Sequence, residues 1–264
     1  MKIYGLQKLT LLDFSGRLAC TVFTGGCNFR CPFCHNASLV RPFISLNDTE
    51  RSSQNGDTAR ARASIDISEN VSDKAAPADV REMIDEEEFF RFLKKRESFL
   101  EGVCVTGGEP LLAKGIEEFL ERIKRTGFAV KLDTNGSFPD KLISLVKNKT
   151  VDYVAMDIKN SLEKYSLTAG APVDTSAIKK SAEFLLGGTL PFEFRTTVVQ
   201  DFHTAEDFEN VGIWLKGNER YFLQLFRPSE NVLRQGLTVP SDEEMKNFLT
   251  ILQKYIPNAT IRGE

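Results

Sequence analysis

Six short apolar segments alternate with segments of helical spacing along this chain, and this alternation limits the possible folds more than any other feature of the sequence. Strands separated by helices need crossover connections, which are right-handed and build a parallel sheet. The predicted strands are residues 18–24, 102–106, 128–133, 151–157, 192–199 and 221–226. The predicted helices are residues 85–100, 116–125, 139–147, 176–186, 205–216 and 242–255. The sequence therefore predicts an α/β fold.

These strands are apolar without strict alternation, as in VCV at residues 103–105 and VAM at residues 154–156. Such strands are typical of a sheet that helices cover. The sheet can be doubly wound or curled into a barrel, and the periodicity alone does not distinguish these two architectures.

Residues 46–80 interrupt the alternation. They are rich in Ser, Asn, Asp, Arg and Ala, and they contain five large aliphatic residues and no aromatic residue. A stretch of this composition buries too little apolar area to offset its ordering entropy. We therefore expect a flexible insertion, and a lid or a partner-recognition arm is the alternative interpretation.

Composition and charge exclude several classes of protein. The 264 residues are 41% hydrophobic, and 34 Lys and Arg against 37 Asp and Glu give a formal charge of −3. A dedicated nucleic-acid-binding protein normally has a basic excess. No apolar run reaches the roughly 18 residues of a membrane span, and residues 1–16 lack the regions of a signal peptide. We expect a cytoplasmic protein without a nucleic-acid or membrane partner.

The five cysteines fall into two groups. Cys20 and Cys104 lie within apolar predicted strands, where a buried structural thiol is common. Cys27, Cys31 and Cys34 lie within eight residues in the loop after the first predicted strand. Three thiols in one short loop converge easily on a soft metal centre.

Four interpretations of this triplet compete. A zinc site normally has four tetrahedral ligands in two pairs, and the adjacent Cys34 and His35 suit it poorly. Residues 31–35 match the C-x-x-C-H of haem attachment, but that chemistry usually follows export and leaves Cys27 unexplained. A thioredoxin-like site lacks a helix directly after Cys31. The fourth interpretation is an iron–sulfur cube with three protein ligands and one open iron.

The C-x3-C-x2-C spacing, with Phe33 before the last cysteine, resembles the radical S-adenosylmethionine (SAM) enzymes. The resemblance implies that Cys27, Cys31 and Cys34 hold a [4Fe–4S] cluster whose open iron is chelated by the amino and carboxylate groups of SAM. One electron from the reduced cluster then cleaves the sulfonium to methionine and a 5′-deoxyadenosyl radical. In this resemblance the protein binds and orients SAM and excludes water from the site, while the cofactors supply the reactivity. No catalytic residue beyond the cluster is therefore expected.

A second motif, Gly107-Gly108-Glu109, follows the next predicted strand and resembles the GGE element of that superfamily. The glycines would let the backbone approach a ligand closely, and Glu109 could accept from the ammonium group of SAM. A tight turn is the alternative interpretation of the same residues.

Further polar residues end the next two predicted strands. In the resemblance, Asp133, Asn135, Asp157 and Lys159 correspond to residues that line the SAM pocket. Asp133 and Asp157 would hold a monovalent cation near the sulfonium, and Lys159 would pair with the SAM carboxylate. Helix caps and a solvated lysine are the alternative. Arg195 lies within an apolar strand, where an unpaired charge is costly, so we expect it to point into a polar cavity.

Gln224 or Arg227 could reach the adenosine end of SAM, and ordinary surface pairing is an equal alternative. His203 has no predicted role. The motifs all lie at or beyond the carboxyl ends of successive predicted strands, where parallel α/β folds place their sites.

Residues 8–36, with TGGEP, LDTNG and MDIK, resemble the glycyl-radical-enzyme activases, most of all the anaerobic ribonucleoside-triphosphate reductase activating proteins. Pyruvate formate-lyase activating enzyme is the close second. The resemblance covers residues 1–44 and 81–230, and the insertion at 46–80 departs from it. It implies a partial (β/α)6 TIM-like barrel with parallel strands, and one radical SAM domain over residues 1–264.

An activase of this kind would be an anaerobic oxidoreductase that installs a glycyl radical on a partner enzyme, here anaerobic ribonucleotide reductase. It would draw electrons from a donor such as flavodoxin or ferredoxin. Two other hypotheses remain open. One is a radical SAM enzyme acting on a small molecule, such as a 7-carboxy-7-deazaguanine synthase, and the other is an electron-transfer or redox-sensing iron–sulfur protein.

Overall fold

The computed structural model describes residues 1–40 and 83–262. Within these ranges the chain forms one sheet of eight strands, whose spatial order follows their order in the sequence. The first pair of strands is antiparallel and every other pair is parallel. The strands are β1 (Gly5–Thr10), β2 (Ala19–Thr24), β3 (Gly102–Gly107), β4 (Ala129–Thr134), β5 (Tyr153–Asp157), β6 (Phe192–Val198), β7 (Tyr221–Leu225) and β8 (Thr260–Arg262).

Helices connect the parallel strands in the same described ranges. They are α1 (Ala37–Val40), α2 (Glu86–Lys94), α3 (Ile116–Arg125), α4 (Pro139–Lys147), α5 (Tyr165–Ala169), α6 (Thr175–Leu186), α7 (Ala205–Trp214) and α8 (Asp242–Gln253), with a 3₁₀ turn at Pro110–Leu112. The last two long helices begin with a capping box, Thr204 with Asp207 and Ser241 with Glu244. Such boxes satisfy the free N–H groups of the first helical turn. None of these helices combines the length and the apolar composition that crossing a membrane requires.

The predicted α/β fold with a partial, parallel barrel is confirmed. All six predicted strands are present and mutually parallel, and all six predicted helices are present. The sheet is open, because its two edge strands, β1 and β8, do not pair with each other. These two strands were not predicted, and both lie outside the six β/α units. The predicted insertion at residues 46–80 lies outside the described residues.

The two faces of the sheet differ in chemistry. The outward face packs against the helices through fully buried apolar side chains: Val22, Val105, Leu132, Met156, Phe194 and Leu223. The inward face carries charged and polar groups instead, because alternate residues of a strand face opposite sides. Strand pairing sets Lys131 beside Cys104 on one side and beside Tyr153 on the other, and it sets Asp157 beside Arg195.

Glu193 anchors the open edge of the sheet from this inward face. Its carboxylate accepts two hydrogen bonds from Arg262 of β8, at 2.8 and 2.9 Å, and one from the Tyr153 hydroxyl at 2.9 Å. The Arg262 guanidinium lies over the Phe222 ring at 3.5 Å from its centroid. A bidentate pair of this kind has fixed geometry, so the three-residue strand β8 is held by side chains as well as by its backbone.

Candidate active site at the carboxyl ends of the strands

The loop that follows β2, residues 25–36, is here called the cysteine loop. It is bonded to the end of β3, to the end of α5 and to the loop after β7. The Asn36 side chain donates to the Gly107 carbonyl at 3.0 Å, and the Arg30 N–H donates to the Ala169 carbonyl at 2.8 Å. The Pro32 carbonyl accepts from the Arg234 N–H at 2.8 Å. The segments that follow β2, β5 and β7 and the end of β3 are therefore neighbours in space.

Asn135 links the cysteine loop to the loop after β4. Its side-chain amide donates to the Asn28 side chain at 2.9 Å and lies 3.9 Å from the Cys27 sulfur. Its side-chain oxygen, Oδ1, accepts from the Ser137 N–H at 3.0 Å and from the Ser137 hydroxyl at 2.6 Å. The Asn-Gly pair at residues 135–136 thus opens the loop between β4 and α4.

The three clustered cysteines are free thiols. Burial raises the pKa of each, to about 12 for Cys31, while the positive charge of Lys159 acts on all three in the opposite direction. Thiolates bind iron, so three thiols beside one buried ammonium are a donor set that fits an iron–sulfur cluster. No group of three or more His, Cys, Asp or Glu side chains stands ready to hold a metal ion in residues 1–40 and 83–262. The cluster assignment therefore rests on donor type and spacing.

The other two cysteines lie elsewhere, as predicted, although their surroundings differ. Cys20 is fully buried in the apolar core. Cys104 is also fully buried, but on the polar inward face, where its sulfur lies 3.8 Å from an Asp133 carboxylate oxygen and 3.9 Å from the Lys131 ammonium nitrogen. Cys104 is therefore a buried thiol, as predicted, but its neighbours are charged, because VCV packs its two valines outward and its cysteine inward.

Gly107 and Gly108 approach the protein's own backbone closely. A Cβ on Gly107 would lie 2.3 Å from the Thr24 carbonyl oxygen, and one on Gly108 would lie 2.0 Å from the Gly26 carbonyl oxygen. The Gly108 and Glu109 N–H groups donate to these same carbonyls at 3.0 and 2.7 Å. The glycines are therefore required for the GGE segment to lie against the cysteine loop.

Glu109 is fully buried, and its carboxylate organises the loops around it. One oxygen accepts from the Leu111 N–H at 3.1 Å and the Thr134 hydroxyl at 2.8 Å, and the other accepts from the Asn135 N–H at 2.7 Å. Burial raises its pKa to about 7, although these hydrogen bonds oppose the shift. Its predicted contact with the SAM ammonium group stays a prediction.

Five charged side chains form a continuous series, here called the ion ladder: Lys131, Asp133, Arg195, Asp157 and Lys159. Asp133 accepts from Lys131 at 2.6 Å and from Arg195 at 3.0 Å. Asp157 accepts from Arg195 and, at 3.0 Å, from Lys159. The cavity expected around Arg195 is thus polar, and neither aspartate is a helix cap. Opposite charges alternate along the whole ladder.

The ladder keeps both carboxyl groups ionised. Burial favours the neutral form of Asp157, but the charges and hydrogen bonds of Arg195 and Lys159 outweigh it and hold the Asp157 pKa well below its usual range. The Asp133 pKa is lowered for the same reasons, with Lys131 in place of Lys159. Burial of Lys159 is likewise outweighed, chiefly by Asp157, so the Lys159 pKa is raised and its ammonium stays charged beside the thiols.

His203, which had no predicted role, holds the backbone of Lys159. Its Nε2 lies 2.9 Å from the Lys159 carbonyl oxygen, and its Nδ1 lies 3.1 Å from the Val199 nitrogen. The residue is buried, and its ring stacks on Phe208. No sequence pattern predicts this contact, because it joins the loops after two different strands, β5 and β6.

The remaining residues considered as SAM contacts are Phe33, Gln224 and Arg227. Phe33 is buried, with its ring 6.0 Å from that of Phe202. Gln224 is paired with Thr197 and Arg262 in the sheet, so it lies on the inward face. Arg227 follows β7 and is exposed.

Comparison with known families gives a match over most of the chain. The sequence model of the radical SAM superfamily matches residues 21–212. A protein of Methanocaldococcus jannaschii, provisionally assigned as a glycyl-radical enzyme activating enzyme, is 28% identical over 98% of this chain and 95% of its own length. The 7-carboxy-7-deazaguanine synthase of Methanopyrus kandleri is 30% identical, but over 55% of this chain and 51% of that enzyme.

Solved structures share the fold at low sequence identity. SuiB of Streptococcus suis superposes with a TM-score of 0.62 at 13% identity over 93% of this chain, which spans about half the length of SuiB (49%). SuiB has also been solved with SAM and with its precursor peptide SuiA. QueE of Escherichia coli gives a TM-score of 0.52 at 14% identity, over 100% of this chain and 94% of QueE.

Proposed function

Because this chain belongs to the radical SAM superfamily, whose cofactors are a [4Fe–4S] cluster and SAM, we propose that it installs a glycyl radical on a partner enzyme. The match to the M. jannaschii activating enzyme over nearly the whole of both chains carries this proposal. The most suitable partner is an anaerobic ribonucleoside-triphosphate reductase, and this finer assignment rests on the sequence motifs. Residues 1–264 would form one domain in the cytoplasm. Flavodoxin or ferredoxin would supply the electron that reduces its cluster.

The chain's own residues would bind and orient the cofactors. Cys27, Cys31 and Cys34 would hold the cluster, which, when reduced, supplies the electron that cleaves SAM into methionine and a 5′-deoxyadenosyl radical. Lys159 would pair with the SAM carboxylate, since its charged ammonium already lies beside the thiols. Arg195 would line the pocket and hold the side chains of Asp133 and Asp157 in place through its two ion pairs.

Further contacts would position SAM without taking part in the chemistry. The backbone at Gly107, Gly108 and Glu109 would line the pocket beside the cysteine loop, to which it is already bonded. Asn135 would act from the opposite side, next to Cys27. Phe33 would stabilise the cysteine loop through its packing on Phe202.

The radical would then take a hydrogen atom from the α-carbon of a partner glycine. One C–H bond forms on 5′-deoxyadenosine as one breaks on the glycine, so a backbone radical remains and no acid or base is needed. The fold neighbour SuiB, which has been solved with a precursor peptide, supports a polypeptide as substrate.

A partner-dependent radical assay tests this function. The anaerobically reconstituted protein is reduced with SAM, alone and with an anaerobic ribonucleotide reductase or a pyruvate formate-lyase. We expect 5′-deoxyadenosine in each case and a glycyl-radical EPR signal with one partner. SAM cleavage without a glycyl radical on either enzyme would contradict the proposed partner class, and no cleavage at all would contradict the radical SAM chemistry.

The second candidate is a radical enzyme that acts on a small molecule, and the partial match to the M. kandleri 7-carboxy-7-deazaguanine synthase favours it. The two functions differ in what stimulates SAM cleavage. A low-molecular-weight fraction of the cell extract would stimulate the second function, whereas a protein fraction would stimulate the first. Formation of 7-carboxy-7-deazaguanine would decide for the second.

A further inference from the structure

We propose that Arg195 is a built-in counter-cation for Asp133 and Asp157, in the place where a monovalent metal ion was expected, so that this site works without such an ion. The inference rests on the radical SAM site and not on the identity of the partner. It concerns what neutralises two buried carboxylates in the absence and in the presence of SAM.

The four carboxylate oxygens of these two residues are already engaged. Asp133 Oδ1 accepts from Lys131 Nζ at 2.6 Å, and Asp133 Oδ2 accepts from Arg195 Nη2 at 3.0 Å. Asp157 Oδ1 accepts from Arg195 Nε, and Asp157 Oδ2 accepts from Lys159 Nζ at 3.0 Å. A metal ion bridging the two carboxylates would have to share these oxygens with the three protein cations and approach against their charge.

The charge balance of the ladder also disfavours an added ion. Its three cations (Lys131, Arg195, Lys159) and two anions (Asp133, Asp157) sum to +1. The side chains are mostly shielded from solvent, with exposures from 3% for Lys131 to 29% for Asp157. Like charges repel strongly where water is excluded. A monovalent cation would bring the group to +2, beside a bound sulfonium.

Arginine is suited to this position in a way that a metal ion or a lysine is not. Its guanidinium is planar, permanently charged, and presents several donors in a rigid fork. Two of its nitrogens, Nε and Nη2, reach two different carboxylates from one side chain. Strand pairing sets Arg195 directly beside Asp157. Strand pairing therefore fixes the position of the Arg195 guanidinium between the two aspartates. Because this cation is part of the chain, its presence there does not depend on the concentration of ions in solution.

The first arm of the test uses the wild-type protein with its reconstituted cluster and SAM. Thermal unfolding and SAM affinity are measured in potassium, sodium and tetramethylammonium chloride at equal ionic strength, and thallium NMR probes for a bound monovalent ion. We expect the same unfolding midpoint in the three salts and no bound thallium. A saturable rise of the midpoint with potassium, or a bound thallium signal, would overturn the proposal.

The second arm uses Arg195→Gln, with Arg195→Lys as the charge-retaining control. Removing the guanidinium leaves room and negative charge between the two aspartates. Potassium should then raise the midpoint of Arg195→Gln by about 2–4 °C, as expected for a ligand that binds the folded state. Arg195→Lys should stay insensitive. An Arg195→Gln protein that responds to no cation would contradict the proposal, and if that variant does not fold, the wild-type arm decides alone.

Both readouts, ion binding and unfolding, are independent of glycyl-radical formation. If the protein activates neither candidate partner, the proposed function fails while the wild-type ion measurements still test Arg195. If wild-type protein binds thallium between the aspartates, the inference fails while the activase function stands.

Discussion

The imidazole of His203 donates a hydrogen bond from Nε2 to the backbone carbonyl of Lys159, with the two atoms 2.9 Å apart. A carbonyl oxygen cannot donate, so Nε2 carries the proton in the neutral ring. Nδ1 lies 3.1 Å from the Val199 nitrogen and 3.0 Å from the Val199 carbonyl oxygen, and in this tautomer it accepts from the Val199 N–H. The loop after β6 thereby fixes the loop after β5 at the residue whose ammonium lies beside the cysteines.

The first prediction concerns the pH dependence of His203. Burial lowers its pKa from the usual 6.5, although carbonyl contacts with Lys159 and Val199 partly oppose the shift. The folded state therefore prefers the neutral ring, whose stabilisation is present above pH 6.5 and is lost as pH falls toward the folded pKa. We expect the unfolding free energy of wild type, minus that of His203→Gln, to shrink below about pH 6.5. Denaturant titrations from neutral to acidic pH measure this difference, and a constant difference would contradict it.

The second prediction concerns Glu109, whose pH dependence has the opposite sign. Its pKa is raised from 4.5 to about 7, chiefly by burial, so the folded state holds this proton more tightly than the unfolded chain does. The associated stabilisation is complete below about pH 4.5 and is lost as pH rises toward 7. We expect the stability of wild type relative to Glu109→Gln to fall across that window. Denaturant titrations of both proteins across that window measure this difference, and a difference that stays constant with pH would contradict the prediction.

The third prediction concerns the contact between the GGE segment and the cysteine loop. A methyl group on Gly108 would lie 2.0 Å from the Gly26 carbonyl oxygen, so Gly108→Ala must separate two backbone segments. The control is Gly26→Ala, where the Cβ meets nothing within 4 Å but φ is +87°. That strain costs about 1–2 kcal/mol. We expect Gly108→Ala to lose more stability, and more iron on reconstitution, than the control. Equal losses in both variants would show that packing between these loops is unimportant.

The alternation of strand-like and helix-like segments was sufficient to predict the six β/α units. The apolar pattern within each strand and each helix is local, so it can be recognised without knowing distant partners. The polar inward face was also visible in part. Strand β4 reads AVKLDT and β6 reads FEFRTTV, so charges recur at every second position in both. The sequence prediction treated the strands as apolar without strict alternation and left the barrel and the doubly wound sheet open, so the meaning of these charges became clear only from the inward face of the structure.

Other features depend on partners that are distant in sequence and could not be predicted. Strand β8 has three residues, too few for a period, and it depends on Glu193 for its side-chain anchor. His203 owes its role to Lys159, 44 residues away. Arg195 was expected to need a charge partner, but the sequence did not indicate that one guanidinium would serve two aspartates.

The last prediction separates the cysteine triplet from the other thiols. Replacement of Cys27, Cys31 or Cys34 by Ala should abolish SAM cleavage, because each would remove one of three thiolate ligands from a cluster that needs them. Cys20→Ala and Cys104→Ala should retain cleavage and iron, since both thiols lie within strands, away from the cysteine loop. Their cost should be packing, on the order of 1 kcal/mol. Iron content, EPR of the reduced protein and 5′-deoxyadenosine yield measure these outcomes. A Cys31→Ala protein that cleaves SAM as wild type does would contradict the cluster assignment.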